Sequence, residues 1–407
     1  TLDMMLIPDF GQVQSDEKIL NLTPFEIYYN EKRSFFTEGS ELFNRAEIFY
    51  SRRIGGNPGF FTEASDSLRA NEYIRTNPRE TQIINATKIS GKSKKGLSIG
   101  FLNAITSPSY ATLKDSVTGR ERLLKTQPLT NYNVTVLDKS LKNNSFVSII
   151  NTNMIMSGRK TLANVLGSEL RLANKANSYA IFAKGAFSHN QQNSEKKNGG
   201  YCDIDLTKIK GKFQFRITQK LKSGGYDPNK LGYEMVTNLF INRMSLEYNI
   251  YDPFWKIMSW HNGMTAEHIQ QFKARKFSSL MLEVNSNVIF QNYLAIEIVE
   301  QYYPESYDFH EPRVEGMFFN RPARNYLELE FTSDYRKKFA IRIENGYAIS
   351  KSYNYRMAKM EVSPRYRVND NLMLIYDIEK SIEWNSLGYV SKSIDEDSVY
   401  FSNRNIN

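Results

Sequence analysis

The chain has 407 residues, with 53 lysines and arginines against 44 aspartates and glutamates and a formal net charge of +9. This length suits roughly two to three ordinary domains or one large β architecture, and the mixed charge excludes a polycation. A helical membrane protein is excluded because mean hydropathy is −0.51 and the sequence has no run of about 20 mostly apolar residues. Tyrosine (25), phenylalanine (25) and tryptophan (3) nevertheless make up 13% of the chain.

Residues 1–84 show no sustained hydrophobic period, although residues 1–6 are predicted to form a strand. Thr23 and Glu26 form a capping box around Pro24, which predicts a short helix through Tyr29. Aromatic residues and paired arginines follow without either period, so we expect a packed irregular segment such as a plug inside a barrel. The candidate plug residues are Phe35, Phe36, Glu38, Gly39, Tyr50, Arg52 and Arg53.

From Leu97 onward the dominant period is two, the pattern of strands with chemically different faces. Residues 326–331 and 339–344 both alternate apolar with polar side chains, and residues 332–338 between them are short enough for a hairpin connection. Residues 161–172 fit a helix and a hairpin equally well. The same alternation occurs in residues 97–102, 213–218, 244–250, 280–285 and 361–368.

Three features favour a transmembrane barrel over a soluble sandwich or a propeller. The polar face carries charges of both signs, as a lumen would. Short connections at 333–337 and 369–371 contrast with long polar ones at 189–200 and 303–317. Aromatic residues gather near the predicted strand ends, where an interfacial girdle would lie, at Tyr347, Tyr353, Tyr355, Tyr366, Tyr376 and residues 251–255.

We therefore expect an all-β fold, with a strand and a mostly irregular, plug-like segment in residues 1–84 and an antiparallel transmembrane β-barrel in residues 85–407. Alternation also predicts which side chains face the lumen and which face lipid. The lumen-facing candidates are Glu328, Glu330, Arg342, Glu344, Arg365 and Arg367. The lipid-facing candidates are Leu327, Leu329, Phe331, Phe339, Ile341 and Ile343.

Motifs for nucleotide or metal chemistry are weak. Residues 86–93 match an alanine-started phosphate-binding loop, but an alternating strand begins at Leu97 where that site needs a helix, so a basic strand-entry turn is favoured. One cysteine, Cys202, excludes an intrachain disulfide and a cysteine-based zinc site, and the four histidines lack metalloprotease spacing. We expect no metal and no cofactor.

Paired carboxylates occur at Glu328 with Glu330 and at Asp395, Glu396 and Asp397. Such pairs can serve glycoside hydrolysis at the right separation, but a lumen wall balanced by neighbouring arginines is favoured here. Basic residues interleaved with tyrosines in residues 353–366 also suggest nucleic acid, yet acidic residues lie beside them on the same predicted strands. We expect no catalytic residue and no nucleic-acid partner.

Six segments resemble, in order and spacing, the DUF5916 family of outer-membrane barrel-like proteins, which is common in Bacteroidota. These segments are residues 8–16, 21–26, 31–39, 49–55, 85–92 and 128–132. They cover the first third of the chain, and the remainder shares the strand rhythm. Family members carry an N-terminal domain similar to carbohydrate-binding module family 9 and continue into further strands at the other end. This chain is expected to begin at the barrel-like domain and to stop before those further strands. The family has no established catalytic residues to carry over.

The resemblance implies the outer membrane of a Gram-negative bacterium. Lipid and lipopolysaccharide are then the expected partners, with other outer-membrane proteins or glycan as further candidates. The expected role is a non-catalytic pore, a glycan-associated protein or a structural subunit of an outer-membrane complex. A cell-surface carbohydrate-active enzyme and a soluble β-sandwich binding protein are the alternatives.

Overall fold

Strands make up most of the chain in the computed structural model, which describes residues 1–9, 16, 19–158, 161–393, 395 and 398–406. The helical elements in these ranges are short: α1 (Ser34–Thr37), α2 (Glu63–Asp66) and the 3₁₀ turns Ser40–Leu42, Ser51–Arg53 and Ser352–Asn354. Within the same ranges, every helix is too short or too polar to cross a membrane. The all-β, antiparallel part of the expected fold class is confirmed.

Most strands are 9 to 15 residues long, which suits the period-two runs of the sequence. In chain order they are β1 (Leu2–Leu6), β2 (Glu72–Thr76), β3 (Ile83–Lys92), β4 (Leu97–Thr106), β5 (Ser109–Asp115), β6 (Glu121–Gln127), β7 (Thr130–Ser140), β8 (Phe146–Met156), β9 (Thr161–Ala173), β10 (Tyr179–Gln192), β11 (Glu195–Lys208), β12 (Phe213–Lys222), β13 (Leu239–Ile250), β14 (Ile257–Gln271), β15 (Phe277–Phe290), β16 (Ala295–Tyr303), β17 (Ser306–Asp308), β18 (Phe319–Arg321), β19 (Arg324–Thr332), β20 (Phe339–Ile349), β21 (Arg356–Arg367), β22 (Met373–Ile375), β23 (Ile378–Lys392) and β24 (Val399–Ile406).

The first of two compact units comprises Thr1–Ala173, Ile181–Ile204 and Leu221–Asn238. In it β1, β3, β4, β7, β8 and β9 pair in that order, every pair antiparallel. A separate sheet of β2, β5 and β6, which the sequence did not predict, packs over a small core of Ala64, Ala111 and Leu113. The main core joins N-terminal residues such as Phe43 and Ile48 to strand residues such as Val136.

The second unit comprises Asn174–Ala180, Asp205–Lys220 and Leu239–Asn407. Here β13, β14, β15, β16, β19, β20, β21, β23 and β24 pair in succession, all antiparallel, and β22 pairs with β21. The predicted hairpin across residues 332–338 is confirmed as the β19–β20 pair. A two-stranded ribbon, β17 with β18, lies within the long connection after β16.

The helix predicted from Thr23 through Tyr29 is wrong, because the segment is irregular. The Asn21 side chain accepts from the Thr23 backbone N–H at 3.0 Å and donates to the Phe25 carbonyl at 2.6 Å, which holds a turn instead. Glu26, the other half of the predicted capping box, is bound by the Arg53 guanidinium at 2.7 Å. A side-chain partner distant in sequence thus replaces the local cap.

The long connection predicted at 189–200 is also wrong. β10 and β11 run through it and leave only residues 193–194 as a turn, with Asn193 at φ 56, a conformation suited to two-residue hairpins. Residues 191–198 are mostly exposed, so these strand ends stay polar on both faces and lack an alternating pattern. Residues 161–172, which the sequence left open, lie in the single strand β9.

Residues 86–92 of the phosphate-loop match lie inside β3, and residues 93–96 form the turn to β4. Successive N–H groups of an extended strand point to opposite sides and cannot all bind one phosphate. The backbone geometry of this segment therefore does not suit a nucleotide site. The described residues contain no group of histidine, cysteine, aspartate and glutamate side chains arranged to hold a metal ion.

Candidate functional site

The charged candidates of the second unit share one face of its sheet. Register places Glu328 opposite Gly346, Glu330 opposite Glu344, and Thr332 opposite Arg342. Arg365 lies opposite Ala340, two residues from Arg342, and therefore points to the same side. Arg367 follows Arg365 at the same alternation. The structure thus brings all six predicted lumen-facing residues onto a single face.

A row of five glutamates crosses this face, one on each of five neighbouring strands. Direct register pairs join Glu297 to Glu330, Glu330 to Glu344, Glu344 to Glu361, and Glu361 to Glu379. Paired residues on neighbouring strands are only about 4.5 to 5.5 Å apart, and like charges in that position repel. The row, hereafter the glutamate row, therefore requires neighbouring cations.

Two cations on the adjacent rows supply this compensation. Arg342 Nη1 lies 3.1 Å from a carboxylate oxygen of Glu330 and 3.1 Å from one of Glu344, and its Nη2 bonds to Glu361. From the other side Lys359 Nζ lies 2.7 Å from Glu344 and 3.9 Å from Glu361. Glu344 and Glu361 are thus each held between the Arg342 guanidinium and the Lys359 ammonium group.

Burial makes this pairing essential at the centre of the row. Glu344 is only 7% exposed, and both of its carboxylate oxygens have a cationic partner. An unpaired carboxylate at that depth would lose most of its hydration without replacement. The arrangement is a charged wall in which a row of five carboxylates lies beside two cations.

The carboxylates proposed for glycoside chemistry are also held by donors. The Tyr326 hydroxyl donates to Glu328, and the Thr332 hydroxyl donates to Glu330 at 2.9 Å. In the second candidate group, Asp395 is described, but Glu396 and Asp397 lie outside the described residues.

The opposite face of the same strands is apolar and exposed. Leu329 is 44% exposed and lies in one row with Ile298, Asn345 and Met360, of which Met360 is 51% exposed. In the described part of the second unit, no leucine, isoleucine, valine, methionine or aromatic side chain is buried. All six lipid-facing candidates lie on this face, and Leu327, Leu329, Phe331 and Phe339 are among its exposed side chains.

The plug candidates lie in the first unit, in a segment of residues 31–56 that we call the docked segment. Arg33 donates to the Ile54 carbonyl at 2.7 Å and to the Ser51 carbonyl at 3.0 Å, which closes the segment on itself. The Tyr50 hydroxyl donates to the Tyr29 carbonyl at 2.8 Å. Nearby, Arg52 binds Asp16 at 2.9 Å, and Arg53 donates to the Gly232 carbonyl at 3.0 Å.

Lys88 of β3 fixes the start of the docked segment. Its side chain is only 3% exposed, and Nζ donates to the carbonyls of Phe35 at 2.7 Å and Glu38 at 2.6 Å. Phe36 is buried in the core, and Gly39 adopts a left-handed φ of 61° that turns the chain after α1. All of the plug candidates except Gly39 are therefore packed or hydrogen-bonded, and Gly39 supplies the turn.

Two glycines allow the docked segment to approach the sheet. A Cβ at Gly100 would lie 2.9 Å from Leu42 Cδ2, and one at Gly167 would lie 2.9 Å from Ala46 Cβ. Both glycines lie in one register row, on β4 and β9, with Val136 and Ile150 between them. The segment consequently packs against the face of this sheet that carries those buried residues.

Glu31 titrates within this network. Burial acts to raise the pKa of its carboxyl, but the hydrogen bonds and charge of Arg33, together with the Ser51 hydroxyl, outweigh burial and leave the pKa below its usual value. The Glu31 carboxylate lies 2.7 Å from the Arg33 guanidinium and accepts from the Ser51 hydroxyl at 2.6 Å. Ionised Glu31 therefore stabilises the folded segment.

Sequence reasoning did not single out four members of the charged wall: Glu297, Lys359, Glu361 and Glu379. Each lies at a polar position of a strand, but only cross-strand register puts them beside Glu330 and Glu344. The short β19–β20 turn could have predicted the pairing of Glu330 with Glu344. The long connection after β16 could not have predicted the pairing of Glu297 with Glu330.

Comparisons with known proteins give one family match and remote structural likenesses. The family model DUF5916, a domain of unknown function, matches residues 1–407. Among solved structures, Acinetobacter baumannii OccAB4 is similar with a TM-score of 0.41 and 10% identity, over 77% of this chain and 90% of that chain. Pseudomonas aeruginosa OpdQ is similar with a TM-score of 0.42 and 8% identity, over 77% and 89%. A search of curated proteins found no match.

Proposed function

The chain belongs to the DUF5916 family, and we propose that it is a non-catalytic outer-membrane β-barrel protein. In this proposal the exposed apolar face contacts lipid and lipopolysaccharide, and the charged face lines a polar interior that admits hydrated ions or small polar solutes. The proposed address is the outer membrane of a Gram-negative bacterium.

One observation carries the proposal: the described part of the second unit buries none of its large apolar side chains and exposes many of them, while it buries the charged residues Asp334 and Glu344. A unit folded in water gains most of its stability by burying leucine, isoleucine, valine and phenylalanine, and contiguous exposed apolar patches above a few hundred Å² are rare on soluble monomers. Contact with lipid tails removes this conflict, because the apolar face then loses its contact with water. Outward apolar and inward polar alternation is the pattern of membrane barrels.

The binding state of the carboxylates supports the non-catalytic part of the proposal. Glu330, Glu344 and Glu361 each bind Arg342, so they act as one electrostatic network. Glycoside hydrolysis instead needs one carboxyl group that donates a proton and a second that attacks or activates water. A network held by shared cations suits a permanent wall better than an acid and base pair.

The first experiment is fractionation of the full chain expressed in a Gram-negative host. We expect it in the outer-membrane fraction, resistant to high salt and alkaline carbonate and extracted only by detergent. A monodisperse protein in the aqueous fraction would contradict the proposal and favour a soluble sandwich.

The second experiment separates a pore from a closed accessory subunit. Purified chain is reconstituted into planar bilayers, and conductance is compared between unmodified protein and Glu344→Gln, which changes the charged wall. Steps of conductance whose ion selectivity changes with Glu344→Gln support a pore lined by this wall. Glycan cleavage that disappears with Glu330→Gln would overturn the non-catalytic assignment.

A further inference from the structure

A cavity of about 530 Å³ lies at one end of the strands in the second unit. Its walls include Tyr302 near the end of β16, Arg324 at the start of β19, and Tyr353 in the turn after β20. Tyr302, Asn325 and Ile349 form one register row on three neighbouring strands, in step with the exposed apolar face. The cavity therefore opens where that face ends and the long connection after β16 begins.

The turn that carries Tyr353 is conformationally strained. Tyr353 adopts φ 59 and ψ 9, the left-handed region that residues with a Cβ rarely occupy, and Asn354 follows at φ 52. The turn is fixed by the Ser350 hydroxyl, which donates to the Ala323 carbonyl at 2.7 Å. Such strain persists where surrounding structure enforces it, and it concentrates at binding sites.

The strain holds an aromatic ring in solvent at the cavity. Tyr353 is 57% exposed, and Tyr302, which also lines the cavity, is 42% exposed. Tyr302 lies near the end of β16 and the Tyr353 turn follows β20, and these two strands are two strand spacings apart, about 10 Å. Aromatic faces carry partial negative charge and attract the C–H groups on the face of a sugar.

The cation that faces the cavity is Lys351. Arg324 is also a wall residue, but register pairs it with Tyr303 and its guanidinium lies over that ring at 4.5 Å, on the opposite face of the sheet from Tyr302. Within the described residues the Lys351 ammonium group has no ion-pair or hydrogen-bond partner. The one carboxylate of the lining, Glu305, already accepts from the Asn320 amide at 2.7 Å.

We propose that this cavity binds an anionic saccharide. The two tyrosines would contact the faces of the sugar ring, Lys351 would bind its carboxylate or phosphate, and the Asn320 and Glu305 pair would bond to hydroxyl groups. The inference goes beyond the proposed function. Only the assignment of a membrane glycolipid as the source of the saccharide rests on the proposed function. A free acidic oligosaccharide offers the same chemistry.

The test measures saccharide binding to the full chain in detergent micelles by titration calorimetry. The probes are tri-galacturonate, which carries carboxylates, glucose 6-phosphate, which carries a phosphate, and neutral maltotriose. We expect at least one charged probe to bind at least tenfold more tightly than maltotriose. Equal affinity for all three, or no binding of either charged probe, would overturn the proposal.

Variants then separate recognition from folding. Tyr353→Gly removes the ring and relieves the backbone strain, so we expect unchanged or higher thermal stability with a tenfold or greater rise in Kd. Lys351→Gln should raise Kd for charged probes only. Tyr376→Ala removes another exposed tyrosine, which lies outside the cavity lining, and should leave Kd unchanged. Retention of full affinity in both Tyr353→Gly and Lys351→Gln would refute the site.

A vesicle arm identifies the source of the saccharide. The chain is reconstituted into phosphatidylcholine vesicles with or without rough lipopolysaccharide, and tri-galacturonate binding is measured in both. A higher apparent Kd for tri-galacturonate in vesicles that contain lipopolysaccharide assigns a membrane glycolipid. Undiminished binding in its presence assigns a free saccharide. Saccharide binding by a chain that fractionates as a soluble protein would keep this inference while contradicting the proposed membrane location.

Discussion

Glu330 and Glu344 lie directly opposite each other on β19 and β20, and the Arg342 guanidinium lies 3.1 Å from an oxygen of each. Two like charges at this spacing would push the strands apart without the shared cation. The local pairing therefore depends on a residue of the neighbouring row, which makes the charged wall cooperative.

Replacement of this cation should be disruptive. We expect Arg342→Met to lower the free energy of unfolding by about 2 kcal/mol, because three carboxylates then face one another with one fewer counter-charge. Urea unfolding in micelles measures the loss. Arg365→Met is the matched control: it removes another arginine of the same face, whose guanidinium donates to the Tyr335 carbonyl at 3.3 Å, and should change stability by less than about 0.5 kcal/mol. Addition of Glu344→Gln should rescue part of the Arg342→Met loss, and purely additive effects would argue against coupling.

The two faces of β19 should respond oppositely to charge. In a membrane, Leu329→Arg near the midplane is expected to destabilise the chain by about 2 to 4 kcal/mol, whereas Glu330→Gln on the other face should be mild. Unfolding from lipid vesicles compares the two variants. Effects of equal size would contradict the assignment of the Leu329 face to lipid and the Glu330 face to the polar interior.

Close approach of the docked segment predicts a specific glycine effect. Gly167→Ala should destabilise the first unit by about 1 to 3 kcal/mol, since its Cβ would lie 2.9 Å from Ala46 Cβ and 3.0 Å from Ile48 Cδ1. At Gly91, on β3, a Cβ meets no atom within 4 Å, so Gly91→Ala should be close to neutral. Thermal unfolding distinguishes the two, and an equal change in both would show that Gly167 does not set the packing distance.

Lys88 should control how firmly the start of the docked segment is held. Lys88→Met leaves the Phe35 and Glu38 carbonyls without this donor, so we expect faster hydrogen exchange and faster protease cleavage in residues 31–56. Lys92→Met, on the exposed end of the same strand, serves as the control. Unchanged exchange in Lys88→Met would remove the lysine from its anchoring role.

Acid should loosen the same segment through Glu31. Its folded pKa lies below the unfolded value of about 4.3, so the stabilisation is fully present above that value and is lost as the pH falls through the folded pKa. Hydrogen exchange of residues 31–56 should therefore accelerate as the pH drops below about 4.3, after correction for intrinsic rates. Glu31→Gln should flatten this dependence, and Glu41→Gln, on the exposed side of the segment, should preserve it.

Local pattern was enough to predict parts of β12, β13, β15, β19, β20 and β21, but not the other strands of the second unit or the segment before them. The alternation of Leu327 with Glu328 predicted the two faces of β19, because successive side chains in a strand point to opposite sides. The capping box at Thr23 failed because Arg53, distant in sequence, binds the glutamate that the cap needs. The prediction of a long connection at residues 189–200 failed because strand ends that are exposed on both faces show no alternation of apolar and polar residues.

The sequence by itself determined the all-β class, the family and the chemistry of the two faces of the alternating strands, because these follow from residue order over short distances. Only the tertiary structure decided that five glutamates form one row, that Lys88 and two glycines seat the docked segment, and that Tyr353 is held in a strained turn beside Lys351. These relationships depend on register and on contacts between residues far apart in the chain, which the energetics of the whole fold select.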